Sequence, residues 1–357
     1  MQLTQFSCRH FRCLPGLAFA PEPGINLLYG DNAQGKTSIL EAILYCTTSR
    51  SHRTTTESDL RQQGEEGFRV ALHAIAQGQP IQLEANWWHN QKRFKVNGIP
   101  QTRISDILGR IRVVFFAPED VDLVKGSGSH RRRFLDMELA QLSPAYLLAL
   151  QQYKKVLRQR NETVRDKRPD PILLDVFDEQ LVQYGAILMA ERRAFVTQLS
   201  AFAQNAYALV AGGELFSVHY LPSITPDQDF AETLKQNRER DIRRGQTLLG
   251  PHRDDLELTV DAKPARSFGS QGQQKTAALA LKLAEVELIH HRYQEYPVLL
   301  LDEALAELDP HRARRLFDML ATQVQCLITT TERAPNPAME EHPLTRFHVV
   351  RGHIEKT

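Results

Sequence analysis

Residues 24–46 read GINLLYGDNAQGKTSILEAILYC. An apolar run, a glycine-bounded polar loop and a second apolar run follow one another without a spacer. Ile25 to Tyr29 has the length and composition of a buried strand, and the second run has the apolar spacing of a helix beginning at Ser38. Between them stands a full G-x4-G-K-T, residues 30–37. Strand, loop and helix in that order are the context a phosphate-binding loop requires. Gly30 and Gly35 let the backbone wrap closely around phosphate oxygens. The successive N–H groups of Asp31, Asn32, Ala33 and Gln34, with the helix start at Ser38, supply partial positive charge. Lys36 is placed to reach the β- and γ-phosphates, and the Thr37 hydroxyl to ligate Mg²⁺.

A second stretch completes the chemistry. YPVLLLDEALAELD, residues 296–309, is an apolar run ending in Asp302 and Glu303. An apolar run followed by acids fits a central parallel strand whose carboxyl end enters a site. Asp302 is expected to hold Mg²⁺ and Glu303 to polarise the attacking water as general base. Catalysis is therefore assigned to Glu303, Lys36 and Asp302, with ATP and Mg²⁺ as the implied ligands. Asp309 is expected on the turn that follows.

The rest of the chain bounds the fold around these motifs. A length of 357 residues is long for one core, and a net charge of +1 neither favours nor excludes nucleic acid, because clustering decides that. The four cysteines lack zinc-site spacing and read as free thiols in a reducing compartment. No apolar run reaches the ~20 residues of a membrane helix, and MQLTQFSCRHFRCL is no signal peptide; a soluble, cytoplasmic protein is expected. VALHAIA, IQLEANWW and RFKVNG form an antiparallel set closed by an Asn97-Gly98 turn. From Asp136 to Arg244 the pattern is mostly helical, with RDKRPDPI and PSITPDQDF as loop breaks. The C-terminal third alternates helix and strand, which implies a parallel α/β core. The expected domains are 1–125 and 245–357 as two parts of one head, with 126–244 as an inserted helical lobe.

A third motif, SFGSQGQQKTAALALKLAEVELI at 267–289, opens a long helix on S-x-G-Q. Alone, it is an N-cap signal. Together with GDNAQGKT and LLLDEALAELD it is similar to the ABC-type ATPase heads. That resemblance implies an α/β fold of the P-loop head type: a parallel core plus an antiparallel N-terminal β subdomain, here with the helical lobe and no long coiled coil. It implies that Ser270, Gly272 and Gln273 close over the ATP held by a second copy. It places Glu119 where many such heads carry the glutamine of the Q-loop, and Thr329, Thr330 and Thr331 where transporters carry a histidine. Thr330 is the expected contact to phosphate there, with slow turnover as the consequence.

The resemblance narrows further. HFRCLPGLAFAPEPGINLLYGDNAQGKTSILEAI, FFAPEDVDLVKGSGSHRRRFLD and LLGPHRDDLEL resemble the RecF family of bacterial recombinational repair proteins, over nearly the whole chain. The family implies an ATP-dependent homodimer acting in DNA repair, replication and the SOS response. It implies binding to single-stranded and gapped DNA, assistance in recombinase loading, slow DNA-stimulated hydrolysis, and RecR and, in the wider pathway, RecO as partners. It also places Arg12 near the nucleotide. The alternatives are the ATPase subunit of a membrane transporter, which should lack the basic insert, and an SMC-type bridging protein, which needs hundreds of heptad residues. A non-catalytic ATP sensor needs only differential affinity between states.

For DNA, residues 125–170 carry eleven Lys and Arg against five Asp and Glu. Arg131, Arg132, Arg133, Lys154, Lys155, Arg158 and Arg160 are the densest points and the expected phosphate contacts. Trp87 and Trp88 beside Lys92, Arg93 and Lys95 could stack on bases, although adjacent strand residues more often pack one on each face. LLGPHRDDL stays structural or coupling in character, since no nucleophile elbow accompanies it.

Overall fold

The computed structural model describes residues 1–211, 213–303, 314–315, 317, 324–333, 339 and 341–357. Asp309 and most of the helical text HRARRLFDMLATQ lie outside the described residues. In chain order the strands and helices begin with β1 (Gln2–Phe11), β2 (Leu14–Phe19), β3 (Ile25–Tyr29), α1 (Lys36–Thr48), β4 (Gly67–Ala76) and β5 (Gln79–Trp88). There follow β6 (Gln91–Val96), β7 (Ile99–Gln101), β8 (Val113–Phe116), α2 (Asp122–Lys125), α3 (Gly128–Leu142), α4 (Pro144–Thr163) and α5 (Pro171–Ala211). Next come β9 (Phe216–Leu221), α6 (Phe230–Arg244), β10 (Asp255–Val260), β11 (Lys263–Pro264), α7 (Ala265–Phe268) and α8 (Gln271–Tyr293). The chain closes with β12 (Val298–Asp302), β13 (Cys326–Thr330), β14 (Leu344–Val350) and β15 (His353–Lys356). Among the described residues no helix is long and apolar enough to cross a membrane.

Two compact units emerge: residues 1–120, 209–212 and 279–357, and residues 121–208 with 213–278. The division expected after residue 244 falls instead after 278, because β10 and β11 pair with β9 rather than with the head.

The first unit holds two sheets. One is antiparallel, in the order β2-β1-β4-β5-β6-β7. Its β6–β7 hairpin turns on Asn97 and Gly98, at φ 50 and 78, the double positive φ of a type I′ turn. Alternation along β5 buries Trp87 at 5% exposure and leaves Trp88 at 48%. The other sheet runs β15-β14-β3-β13-β12-β8, parallel from β14 to β8. Every residue of β3, β8, β12 and β13 is buried, as strands covered on both faces must be. Helix α1 contacts strands of both sheets, and all its residues except Thr37 are buried. Its middle, Ile39 to Cys46, is apolar apart from Glu41, as that position demands.

The second unit carries the helices α3, α4, α6 and most of α5, with an antiparallel β11-β10-β9 sheet. Strand β9 interrupts a region expected to be helical. Its six residues, FSVHYL, alternate apolar and polar over Phe216 to His219, a short signal set among helical text, and pairing with β10 decides their state.

Candidate nucleotide site

Strands β3, β13 and β12 lie side by side and parallel, so their carboxyl ends share one edge of the sheet. Such an edge is where α/β sheets bind ligands. The phosphate loop leaves β3 there and feeds α1, whose first residue is Lys36, two residues before the expected Ser38. Gly30 sits at φ +149, and a Cβ on it would stand 2.3 Å from the Val349 carbonyl oxygen. Gly35 sits at φ +106, where a Cβ would stand 2.7 Å from Leu14 Cδ2. Both glycines are thus required by the protein behind the loop as well as by any phosphate in front of it. Lys36 is 4% exposed, and its Nζ donates to the Gly30 and Asp31 carbonyls at 2.6 and 2.8 Å. Burial lowers its pKa, against the pull of Glu303, Asp302 and Asp31.

At the end of β12, Asp302 Oδ1 accepts two hydroxyl hydrogen bonds, from Thr37 at 2.9 Å and from Thr329 at 2.6 Å. Thr329 Oγ1 in turn accepts the Glu303 N–H at 3.0 Å. Thr329, rather than Thr330, therefore ties β13 to the acid. The Thr330 hydroxyl accepts the N–H of Glu332 at 3.2 Å. The triple threonine contained this signal, but the register that selects Thr329 (opposite Asp302) comes only from strand pairing. Glu303 has φ 48, a conformation that turns the chain sharply as it leaves the sheet.

The Asp302 carboxyl is pushed up by burial, resisted by its two threonine donors, and pushed further by the charges of Glu303 and Glu119. Glu119 is exposed and lies just beyond β8, which neighbours β12. A buried carboxylate with two acidic neighbours is a local excess of negative charge. That donor set fits Mg²⁺, which Thr37 and Asp302 would hold. Among the described residues no group of three or more His, Cys, Asp or Glu forms a metal cage, and this mode needs none.

Stability follows from the same shift. A raised folded pKa favours the protonated form, so its contribution is present below the unfolded value of 3.8 and is lost as pH rises through the folded value. Asp302→Asn is expected to raise the unfolding midpoint of the nucleotide-free chain at pH 7 by a few degrees. The gain should shrink toward pH 4, measured by thermal scans at both values. No gain at pH 7 would mean that burial does not dominate this group.

Arg12 is occupied by α1. Its Nε and Nη2 donate to both oxygens of the buried Glu41 at 3.0 and 2.8 Å, and Nη1 donates to the Asp59 carbonyl at 2.8 Å. Ser51 Oγ donates to the same Glu41 at 2.5 Å.

In the second unit, Ser270 precedes α8 as a reciprocal cap. Its Oγ accepts the Gln273 N–H at 3.2 Å, and Gln273 Oε1 accepts the Ser270 N–H at 2.8 Å. This is a capping box with glutamine at the third position. Gln273 Nε2 also donates to Glu214 at 2.8 Å. Gly272 is exposed, and a Cβ there would find nothing in its own chain nearer than Ser270 Oγ at 3.9 Å.

The basic run is less basic than its text. Arg131 is 4% exposed and grips Asp255 through two bonds of 2.6 and 2.9 Å. Arg160 is fully buried against Asp178 and Asp241 at 2.5 and 2.7 Å. As phosphate contacts these two are corrected: their charges are spent inside the unit. Arg132 donates to the Asp254 carbonyl at 2.7 Å, and Lys154 pairs with Asp136 at 2.8 Å while staying half exposed. Arg133, Lys155 and Arg158 are exposed.

The GPHRDDL segment also finds its place. Buried Arg192 donates to Pro251 O at 2.6 Å, Asp136 at 2.8 Å, Asp254 at 3.0 Å and the Tyr146 hydroxyl at 3.0 Å. Tyr220 hydrogen-bonds the same Asp254. Tyr153 joins His252 Nδ1 at 2.8 Å, and burial lowers that imidazole's pKa to about 4.

Comparison with known proteins places these features in a family. Residues 2–347 match the family model described as the RecF/RecN/SMC N-terminal domain. The DNA replication and repair protein RecF of Listeria innocua is 38% identical over 370 residues, covering 100% of both chains. That of Geobacillus thermodenitrificans is 38% identical and covers 98% of both. A solved structure of the recombination mediator protein RecF-ATP in the RecFOR pathway is 31% identical, with a TM-score of 0.92 over 100% of this chain and 97% of that one. The Smc head domain of Pyrococcus furiosus, 16% identical with a TM-score of 0.58, shares the fold.

Proposed function

The chain belongs to the RecF branch of the RecF/RecN/SMC N-terminal-domain family, and from that premise we propose that it is an ATP-dependent DNA-binding protein of recombinational repair. The observation that carries this reading is the junction of Thr37, Asp302 and Thr329 at the mouth of the phosphate loop. It would join the triphosphate and metal positions to the strand that ends at Asp302, next to Glu303. When bound, Mg²⁺ would offset charge on the phosphates and orient them. Lys36 holds the β- and γ-phosphates by exchanging its two carbonyl acceptors for phosphate oxygens. Glu303 takes a proton from the attacking water, and Glu119 contributes its charge to the same edge. With threonine at the position of the transporter histidine, hydrolysis is slow, DNA-stimulated and secondary to nucleotide-driven assembly.

Ser270, Gly272 and Gln273 complete the site of a second copy. The exposed Ser270 and the open space over Gly272 support that role. Lys155, Arg158 and Arg133 give salt-dependent contacts to single-stranded or gapped DNA. The protein acts in the cytoplasm with RecR and RecO in loading recombinase during repair, replication and the SOS response.

Ser270→Arg tests the assembly. The variant is expected to bind ATP as the parent does and to stay monomeric when the parent doubles its mass with ATP, read by light scattering. A variant that still dimerises with ATP removes the cross-subunit role. A parent that is monomeric with ATP and DNA removes the whole reading.

A further inference from the structure

RFHVVRGHIEK, residues 346–356, forms the hairpin of β14 and β15. In the structure it stands behind the phosphate loop. Val350 and His353 pair directly across β14 and β15, leaving Arg351 and Gly352 as a two-residue turn at φ 49 and 76. That double positive φ is a type I′ turn, whose two central N–H groups are not consumed by the ladder. Both are used on one residue. Arg351 N donates to Gln34 Oε1 at 2.7 Å, and Gly352 N donates to the Gln34 carbonyl at 2.9 Å.

We propose that this turn is a latch on the phosphate loop, with Gln34 and Gly352 as positioning residues for nucleotide. The proposal rests on the reading of the loop as an ATP site. A trans peptide is planar, and its C=O and N–H point in opposite directions. Fixing the Gln34 carbonyl backward on Gly352 therefore fixes the Gly35 N–H forward, toward the cradle. Gly35, at φ +106, is the residue that most needs such restraint, because glycine lets the adjoining peptide plane rotate at little steric cost. A flipped Gln34–Gly35 peptide would present a carbonyl to the phosphates where an amide is needed. The latch holds the carbonyl of that peptide with one hydrogen bond and the Gln34 side chain with another.

Packing seats the latch. The Val349 carbonyl occupies the space a Cβ on Gly30 would take, and Gly352 Cα stands 3.7 Å from the Cβ position of Gly35. Gly352 has no room of its own: a Cβ would stand 2.8 Å from both the Cys13 carbonyl oxygen and Pro15 Cδ. The hairpin turn, the Cys13–Pro15 segment and the loop thus interlock through three glycines.

The test uses two variants of the full chain. Gly352→Ala forces the turn off the loop, and Gln34→Ala removes the Arg351 bond together with a longer bond to the Asn32 carbonyl at 3.4 Å, and adds no atoms. Dissociation constants for ATP and ADP are measured with Mg²⁺ well below the unfolding midpoint, where a purely structural defect leaves the folded fraction near one. Gly352→Ala is expected to weaken both nucleotides about tenfold and Gln34→Ala about threefold. Hydrogen exchange in the peptide covering residues 30–37 should accelerate in both without nucleotide. Variants that bind with the parent's constants overturn the latch and leave the ATP reading intact. A parent that binds neither nucleotide overturns both.

Discussion

Replacing Lys36 with alanine is expected to raise the dissociation constant for ATP about a hundredfold, while the fold survives. The side chain is buried to 4% exposure, yet it packs no core; its nitrogen is spent on two loop carbonyls. Burial depresses its pKa, and three nearby carboxylates work to keep it charged. A triphosphate replaces the carbonyls with anionic acceptors, and such charge-assisted bonds contribute about 3 kcal/mol when two form. That figure is about two decades in affinity. Competition with a fluorescent nucleotide measures it directly, and circular dichroism checks the fold. A change below threefold would mean that the lysine stays on its carbonyls in the bound state, and the assignment of this loop would fail.

The second large effect is on stability. Arg192→Met is expected to destabilise the second unit by about 3–5 kcal/mol, the usual outcome when one partner of a buried ion pair is removed. Methionine fills much of the volume, so the loss is electrostatic rather than a cavity. Asp136 and Asp254 would be left buried without their shared cation. Urea unfolding with a probe in that unit reads the change, and a loss under 1 kcal/mol would show that water repairs the network. Acid should act on the same region. The buried His252 imidazole has its pKa lowered to about 4 from 6.5, so its contribution is full above 6.5 and is lost as pH falls toward 4. Burial raises the Asp136 carboxyl, but Arg192 and Lys154 outweigh it and leave its pKa lowered, so its contribution goes below pH 3.8.

How much of this was legible in the sequence depended on how local each signal was. The phosphate loop and the acidic strand are contiguous words whose meaning lies in their own spacing, and both take the expected secondary structure. The Trp87–Trp88 pair followed from the two-residue period alone. The basic run was different. Arg131 and Arg160 look identical to their exposed neighbours until Asp255 and Asp241, in distant segments, are brought against them. A charge count cannot tell a solvated arginine from one that staples helices. Thr329 was visible only as one of three, and the turn that holds Gln34 lies more than three hundred residues away. Short β9 was lost to its helical surroundings because its strand state is conferred by β10.

The cap at Ser270 has a directional consequence. Its oxygen lone pair is committed to the Gln273 N–H, while Gln273 in return holds the Ser270 backbone. A hydroxyl anchored through its acceptor side keeps its proton for use elsewhere. The hydroxyl stands beside a glycine that offers no methyl to block an approach. If Ser270 meets a second copy's nucleotide as proposed, helix punctuation and recognition of a foreign anion would be one arrangement seen from two sides, the serine receiving from its own helix and giving to its visitor.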